Sequence, residues 1–192
     1  MTVCFYGSSS PRIPERYILA TEALGEKLAR AGYDLVYGAG GEGLMGAVAR
    51  GFRRGGGHIV GVVPHFLDLG HNLFSECDEM VYTETMSERK QKMEELADGF
   101  VIAPGGPGTF DEFFETLALK QLGRHGEPIV LWNDNGYYDD ILSMMRHCVE
   151  ESFMKERSLA LFGIAADADE VISLLSRGSE APVDILSMKF VK

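Results

Sequence analysis

Cysteine is scarce in this 192-residue chain: Cys4, Cys77 and Cys148 are scattered, odd in number and nowhere set in C-x-x-C spacing. That pattern excludes a disulfide framework and offers no zinc-ligand signature, so the three read as small core residues in a reducing compartment. Long hydrophobic runs are missing too. Stretches such as "IVGVV" and "FVIAPG" fall far short of the ~20 residues needed to cross a bilayer, and "MTVCFYGSSS" lacks the basic start of a signal peptide. No membrane partner and a cytoplasmic location are expected. Basic residues are also few, 18 Lys and Arg against 29 Asp and Glu for a net charge of −11. Such a surface repels a polyanion, and the one basic cluster, "RGFRRGGGH", is short, so nucleic acid is not an expected partner. A single small phosphate needs only a local site.

Several catalytic signatures are absent as well. His58, His65, His71, His125 and His147 show no H-E-x-x-H or other ligand spacing, so no metal is assigned. Ser8 to Ser10 lack the G-x-S-x-G elbow of an α/β-hydrolase, which leaves a Ser–His–Asp mechanism without support. "GGPGTF" supplies no Gly-Lys-Ser/Thr, and no lysine follows it before Lys120, so a nucleoside-triphosphate P-loop is excluded.

What is present is alternation. "TVCFYG", "YDLVYGAGG", "HIVGVVP", "EMVYTE", "GFVIAPGG" and "PIVLWN" read as strands. Between and after them, "PERYILATEALGEKLARAG", "LMGAVARGFRRGG", "SERKQKMEELAD", "FDEFFETLALKQLG", "YYDDILSMMRHCVEESF" and "DADEVISLLSRG" read as helices. Continuous apolar strands alternating with amphipathic helices predict an α/β fold: a Rossmann-like, doubly wound parallel sheet with helices on both faces. With 45% hydrophobic residues the chain can bury one sizeable core, so residues 1–192 are expected to form a single domain. Residues 64–80 break the rhythm as a long loop, of the kind that is often functional. The C-terminal "SEAPVDILSMKFVK" carries no signal.

In open parallel sheets ligands sit beyond the carboxyl ends of the strands, which singles out three loops. "GSSSP" begins at Gly7, and its Ser8 is a candidate phosphate contact or simply part of a turn. "GAGGEGLMG" matches G-x-G-x-x-G through Gly38, Gly40 and Gly43, but it follows the second strand and lacks the acidic residue ~20 positions on that a dinucleotide fingerprint needs. Tight helix packing and ligand contact through Gly41 and Glu42 are equally open there, and Glu42 repels a pyrophosphate unless it points at a sugar. "APGGPGTFDEFFE" is the third. Gly105, Gly106 and Gly108 let a ligand approach the backbone, and the start of the following helix favours an anion.

Glu112 has two readings that its residue type leaves open: catalysis, or a capping box with Thr109 as N-cap. Glu115 either borders the same cleft or is plain surface, and Asp111 reads as solvated or as complementing the helix dipole. In "TETMSERKQKMEEL", Thr85 and Glu88 form another capping box, while Met86, Arg89, Met93 and Leu96 share a helical stripe. Arg89 thus sits among apolar residues near a helix start, where it snorkels, pairs with a carboxylate or serves a ligand.

With "PGGPGTFDE" and "MSERK" side by side, the sequence resembles the Lonely Guy family of cytokinin riboside 5′-monophosphate phosphoribohydrolases, often mislabelled as lysine decarboxylases. Pro104, Gly105, Gly106, Gly108, Thr109 and Glu112 meet the family pattern P-G-G-x-G-T-x-x-E, and Met86, Arg89 and Lys90 meet M-x-x-R-K. The resemblance runs over about residues 1–165. Pro107 departs from the tyrosine usual in plant members, and Phe110-Asp111 from the common Leu-Glu. The resemblance implies hydrolysis of the N-glycosidic bond of an N6-substituted adenosine 5′-monophosphate, with Arg89 and Glu112 as the catalytic pair. The expected substrate and phosphate contacts are Ser8, Gly41, Glu42, Lys90, Gly105, Gly106, Gly108, Thr109 and Glu115. It also implies a homodimer and a nucleoside monophosphate as the small-molecule partner. No cofactor is expected, since no lysine stands out as an aldimine former for pyridoxal phosphate. A non-catalytic nucleotide or cofactor carrier of the same fold is the alternative, and a dinucleotide-dependent oxidoreductase ranks below both.

Overall fold

The computed structural model describes residues 1–188; the last four residues of the C-terminal stretch lie outside that range. One seven-stranded sheet organises the chain. Its strands are β1 (Thr2–Tyr6), β2 (Asp34–Tyr37), β3 (Ile59–Pro64), β4 (Glu79–Thr83), β5 (Gly99–Ile102), β6 (Ile129–Trp132) and β7 (Gly163–Ala165). They lie in the order β4-β3-β2-β1-β5-β6-β7 and pair in parallel throughout. The helices are α1 (Glu15–Arg30), α2 (Gly43–Gly55), α3 (Met86–Leu96), α4 (Pro107–Gln121), α5 (Asp139–Glu150), α6 (Ala168–Leu175) and α7 (Ile185–Met188).

Alternation along each strand divides the core in two. Val3, Phe5, Leu35 and Tyr37 face α1, α2 and α6, whereas Cys4, Tyr6 and Val36 face α3, α4 and α5. Both faces are covered, the doubly wound, Rossmann-like arrangement expected of continuous apolar strands. The chain winds outward from β1 to β4, then returns to place β5 on the other side of β1. The crevice beyond the carboxyl ends of β1 and β5 is the topological switch point, and it is flanked by the loops at Gly7 and Gly105.

Helices α1 and α2 touch at backbone distance. A Cβ on Gly51 would stand 2.2 Å from the Glu22 carbonyl oxygen, and one on Gly25 would stand 2.5 Å from that of Val48. The basic cluster is paired within the fold: Arg54 reaches Glu22 on α1 at 2.8 Å, and Arg53 reaches Asp78, just before β4, at 3.2 Å. It is structural rather than a phosphate surface.

Four segments differ from the sequence reading. Helix α4 begins at Pro107, not Phe110, because a proline is preorganised for the first helical position. Strand β7 is an edge strand of only three residues, too short for a periodic signal, and α7 forms inside the uninformative C-terminal stretch. Residues 64–80 are not a free loop. A short 3-10 turn at His65–Leu67 opens the segment, and Gly40 bridges Leu73.

Replacing Gly51 with alanine is expected to lower stability by about 1–3 kcal/mol, since the methyl group has only main chain to push against. An unchanged urea midpoint would show that the two helices do not meet this closely.

Candidate functional site

Helix α3 is aimed by its cap. The Glu88 amide donates to Thr85 Oγ1 at 3.1 Å, and Glu88 Oε2 accepts from the Glu84 amide at 2.9 Å. With the helix fixed there, Arg89 and Met93 turn inward and are buried. Arg89 Nε donates to the Val62 carbonyl at 3.2 Å, and its Nη1 donates to Glu112 Oε1 at 3.0 Å. The other guanidinium edge lies against Gly38, where an added Cβ would stand 1.7 Å from Nη2. Gly38 therefore serves the site indirectly, by leaving room for Arg89.

Helix α4 brings the carboxylate. Gly106 is the N-cap, and its carbonyl accepts from the Phe110 amide at 3.0 Å. Thr109 lies inside the first turn, so the capping box expected of Thr109 and Glu112 does not form and Glu112 is free for another purpose. Phe113 and Leu117 anchor the helix in the core, which leaves Glu112 facing α3. The amides of Gly108 and Thr109 have no acceptor among the described residues. By contrast, those of Leu44 and Met45 at the start of α2 both donate to the Ser8 carbonyl, at 2.7 and 3.3 Å. The G-x-G-x-x-G loop thus has its helix start occupied by protein, with Gly43 at φ +59° where a Cβ would meet that same carbonyl.

These parts enclose a cleft of about 370 Å³, lined by Gly7 to Ser10, Met45, Met86, Arg89, Lys90, Gly106 to Thr109, Asp111 and Glu112. A second lobe of about 340 Å³ shares Ser9, Met45 and Arg89 with it and adds Glu42, Leu67 and Leu73. Arg89 and Glu112 are only 9% and 12% exposed. Burial raises the Glu112 pKa above the ordinary carboxylate range, and the Arg89 charge and hydrogen bond pull it back part of the way. Burial also works against the Lys90 ammonium, but hydrogen bonds and charge from Asp111 and Glu115 prevail and leave its pKa raised. Glu94, one turn further along α3, is pushed up to about 7 by burial and by Glu115.

Of the expected contacts, Ser8, Lys90, Gly106, Gly108 and Thr109 line the first lobe with the Arg89–Glu112 pair, and Glu42 lines the second. Gly41, Gly105 and Glu115 line neither. The Gly41 amide is committed to the Asn72 carbonyl at 2.9 Å, and the Gly105 carbonyl accepts from the Tyr137 hydroxyl at 2.8 Å. Glu115 grips Lys90, whose ammonium also holds Asp111 at 2.8 Å, so these charges satisfy one another instead of a ligand. Sequence reasoning missed Tyr137 and Tyr138, which it assigned to a helix. Tyr138 donates to the Ala103 carbonyl at 2.6 Å, so the two tyrosines fix the glycine loop from the β6 side. It also missed Met45, whose helical spacing reads only as core.

Residues 45–175 match the family model described as "Possible lysine decarboxylase". The chain is 37% identical over 188 residues to the probable cytokinin riboside 5′-monophosphate phosphoribohydrolase LOGL5 of Oryza sativa subsp. japonica, covering 97% of this chain and 76% of that protein. It is 34% identical over 173 residues to the cytokinin riboside 5′-monophosphate phosphoribohydrolase LOG2 of Arabidopsis thaliana, covering 90% of this chain and 81% of that one. Among solved structures, the molybdenum cofactor carrier protein of Chlamydomonas reinhardtii superposes with a TM-score of 0.70 at 20% identity, covering 92% of this chain and 96% of that one. At that identity the likeness is one of fold.

Removing Arg89 alone leaves a buried carboxylate without its partner, so Arg89→Ala is expected to cost about 3–5 kcal/mol of stability. The double change Arg89→Met with Glu112→Leu, which removes both charges, should recover most of that loss in urea denaturation. A single variant as stable as the unaltered protein would mean that the pair is not desolvated.

Proposed function

Because this chain belongs to the Lonely Guy family of cytokinin riboside 5′-monophosphate phosphoribohydrolases, we infer that it hydrolyses the N-glycosidic bond of N6-substituted adenosine 5′-monophosphates. The products are the free base and ribose 5-phosphate. One observation carries this reading: the buried Arg89–Glu112 pair shares the wall of a cleft with the first turn of α4, where the Gly108 and Thr109 amides have no acceptor among the described residues.

The amides of Gly108 and Thr109 and the positive end of α4 suit a 5′-phosphate. Glu112 lies four residues beyond Gly108, about 6 Å along the helix axis, so a phosphate at the helix start puts the sugar beside the carboxylate. As the bond from C1′ to the base breaks, its electron pair leaves with the base nitrogen, which takes a proton from solvent, a proton made good when Glu112 gives up to solvent the one it receives from the attacking water. Positive charge grows on C1′ and the ring oxygen, and an adjacent carboxylate stabilises it. Glu112 then takes a proton from the water whose oxygen bonds to C1′. Arg89 orients Glu112 and opposes the burial that favours its protonated form.

Two features weigh against the other readings. Lysine decarboxylation through a pyridoxal aldimine needs an unprotonated lysine, whereas Lys90, on the cleft wall, is held as an ammonium by Asp111 and Glu115. A carrier needs the open amides but has no use for a desolvated acid at the sugar. A cytoplasmic homodimer remains part of this proposal, supported by the family and, for the dimer, by the exposure of Phe114 on α4, which is not among the residues lining the cleft.

Incubation with AMP and with N6-isopentenyl-AMP, followed by chromatography of the released base, tests the reaction. Glu112→Gln and Arg89→Ala are each expected to lower kcat/KM by about 10²–10⁴-fold. Tight nucleotide binding with no base released from either nucleotide would favour the carrier.

The raised pKa of Glu112 also fixes a pH dependence. The ionised form is the active one, so kcat/KM should fall as pH drops through a value above the ordinary carboxylate range, and Glu112→Gln should lack that limb. For stability the sign is opposite: the fold binds this proton more tightly than the unfolded chain, so the Glu112 contribution declines as pH rises through the same window. An acidic limb at an ordinary carboxylate pKa contradicts the assignment.

A further inference from the structure

Glu42 is an acid with nothing to do in the fold. It occupies the N-cap position of α2, yet its side chain makes no capping hydrogen bond. No hydrogen bond or ion pair engages its carboxylate among the described residues, although its carbonyl accepts from the Gly46 amide at 2.9 Å. It is exposed on the wall of the second lobe, whose other surfaces include Leu67, Leu73 and Met45. Arg89, the cation shared by the two lobes, is already paired with Glu112. The second lobe is therefore largely apolar; besides Arg89 its other polar side chains are Ser9 and Asn72, the latter committed to Leu67 and Leu69, and the unpaired Glu42 carboxylate disfavours an anion and favours a neutral group that carries an N–H or O–H.

The order of parts along the cleft says which group that is. Gly108 and Thr109 line the first lobe together with Glu112, which lies one helical turn beyond Gly108, and Arg89 lines both lobes, as do Ser9 and Met45. Granted the glycosidase reading above, on which this step rests, phosphate and ribose fill the first lobe and the glycosidic bond lies against the pair. What projects past Arg89 is the base.

We propose that Glu42 is a specificity-determining residue, accepting a hydrogen bond from the exocyclic N–H of an aminopurine while Leu67 and Leu73 pack against its N6 substituent. A base singly substituted at N6 keeps one such donor. A doubly substituted base has none, and its second alkyl group faces a carboxylate.

The test compares N6-methyl-AMP with N6,N6-dimethyl-AMP by base release. The unaltered protein should prefer the first by at least about tenfold in kcat/KM, the size expected for a hydrogen bond to a charged group. Glu42→Ala should bring the two within about twofold, and inhibition by ribose 5-phosphate, which lacks the base, should be the same in both proteins. A preference that survives Glu42→Ala overturns the proposal, as does equal loss of both substrates. So does a change in the ratio of AMP to 2′-deoxy-AMP in place of the methyl ratio, because that assigns Glu42 to the sugar. In each of these cases base release by the unaltered protein leaves the glycosidase reading standing. If that protein releases base from no nucleotide tested, both fall together.

Discussion

A guanidinium and a carboxylate 3.0 Å apart, buried between α3 and α4, set the terms for everything around them. Taking two charges out of water costs several kcal/mol per ion, and only good geometry and further hydrogen bonds offset it. The fold supplies both. Thr85 and Glu88 fix the start of α3, strand β3 offers the Val62 carbonyl, and Gly38 leaves a gap for the guanidinium. The compensation is incomplete, because burial still lifts the Glu112 pKa against the pull of Arg89. The result is a carboxylate that holds its proton more tightly than an exposed one does.

The chain contains two glycine-rich strand-to-helix loops, and they end in opposite states. At α2 the Ser8 carbonyl accepts the Leu44 and Met45 amides, so that helix start is filled by the β1 loop. At α4 the corresponding amides, of Gly108 and Thr109, have no acceptor among the described residues, and both residues line the cleft. The difference traces to Gly43, whose positive φ and lack of a Cβ let residues 8–10 settle onto α2. One loop therefore builds part of the cleft wall, and the other leaves two helix-start amides without an acceptor among the described residues. A helix start of that kind favours negative charge through its dipole, while the Lys90 ammonium on the same wall is paired with Asp111 and Glu115.

Most of the architecture could be read from period and punctuation. Buried parallel strands announce themselves as unbroken apolar runs, and the order of strands and helices fixes the sheet class. The site was readable only in part, and the failures have physical causes. Spacing alone makes Thr109 and Glu112 a capping box, but Pro107 starts the helix two residues before Thr109, which moves the cap to Gly106. Glu115 and Lys90 each looked available for a ligand. Their partnership across two helices depends on how α3 and α4 lie against one another, which no local window contains. The role of Gly38 was invisible for the same reason, since the atom that needs its space comes from residue 89. Strand β7 escaped because three residues on a sheet edge have no period to detect.

The fold by itself does not separate cutting from carrying, since a molybdenum cofactor carrier shares it at a TM-score of 0.70. The separation lies in what each task asks of the groups near the ligand. Holding a phosphate needs amides and a helix dipole, and these act on the bound ground state. Breaking a glycosidic bond needs negative charge where positive charge appears only in the transition state. A carboxylate kept 12% exposed beside an arginine contributes little to holding an anionic ligand, which it repels, and burial of the pair is a poor source of stability. Under the proposed reaction both costs acquire a purpose: positive charge on the sugar ring meets Glu112 only as the bond breaks, and the attraction fades once the ring of ribose 5-phosphate is uncharged again.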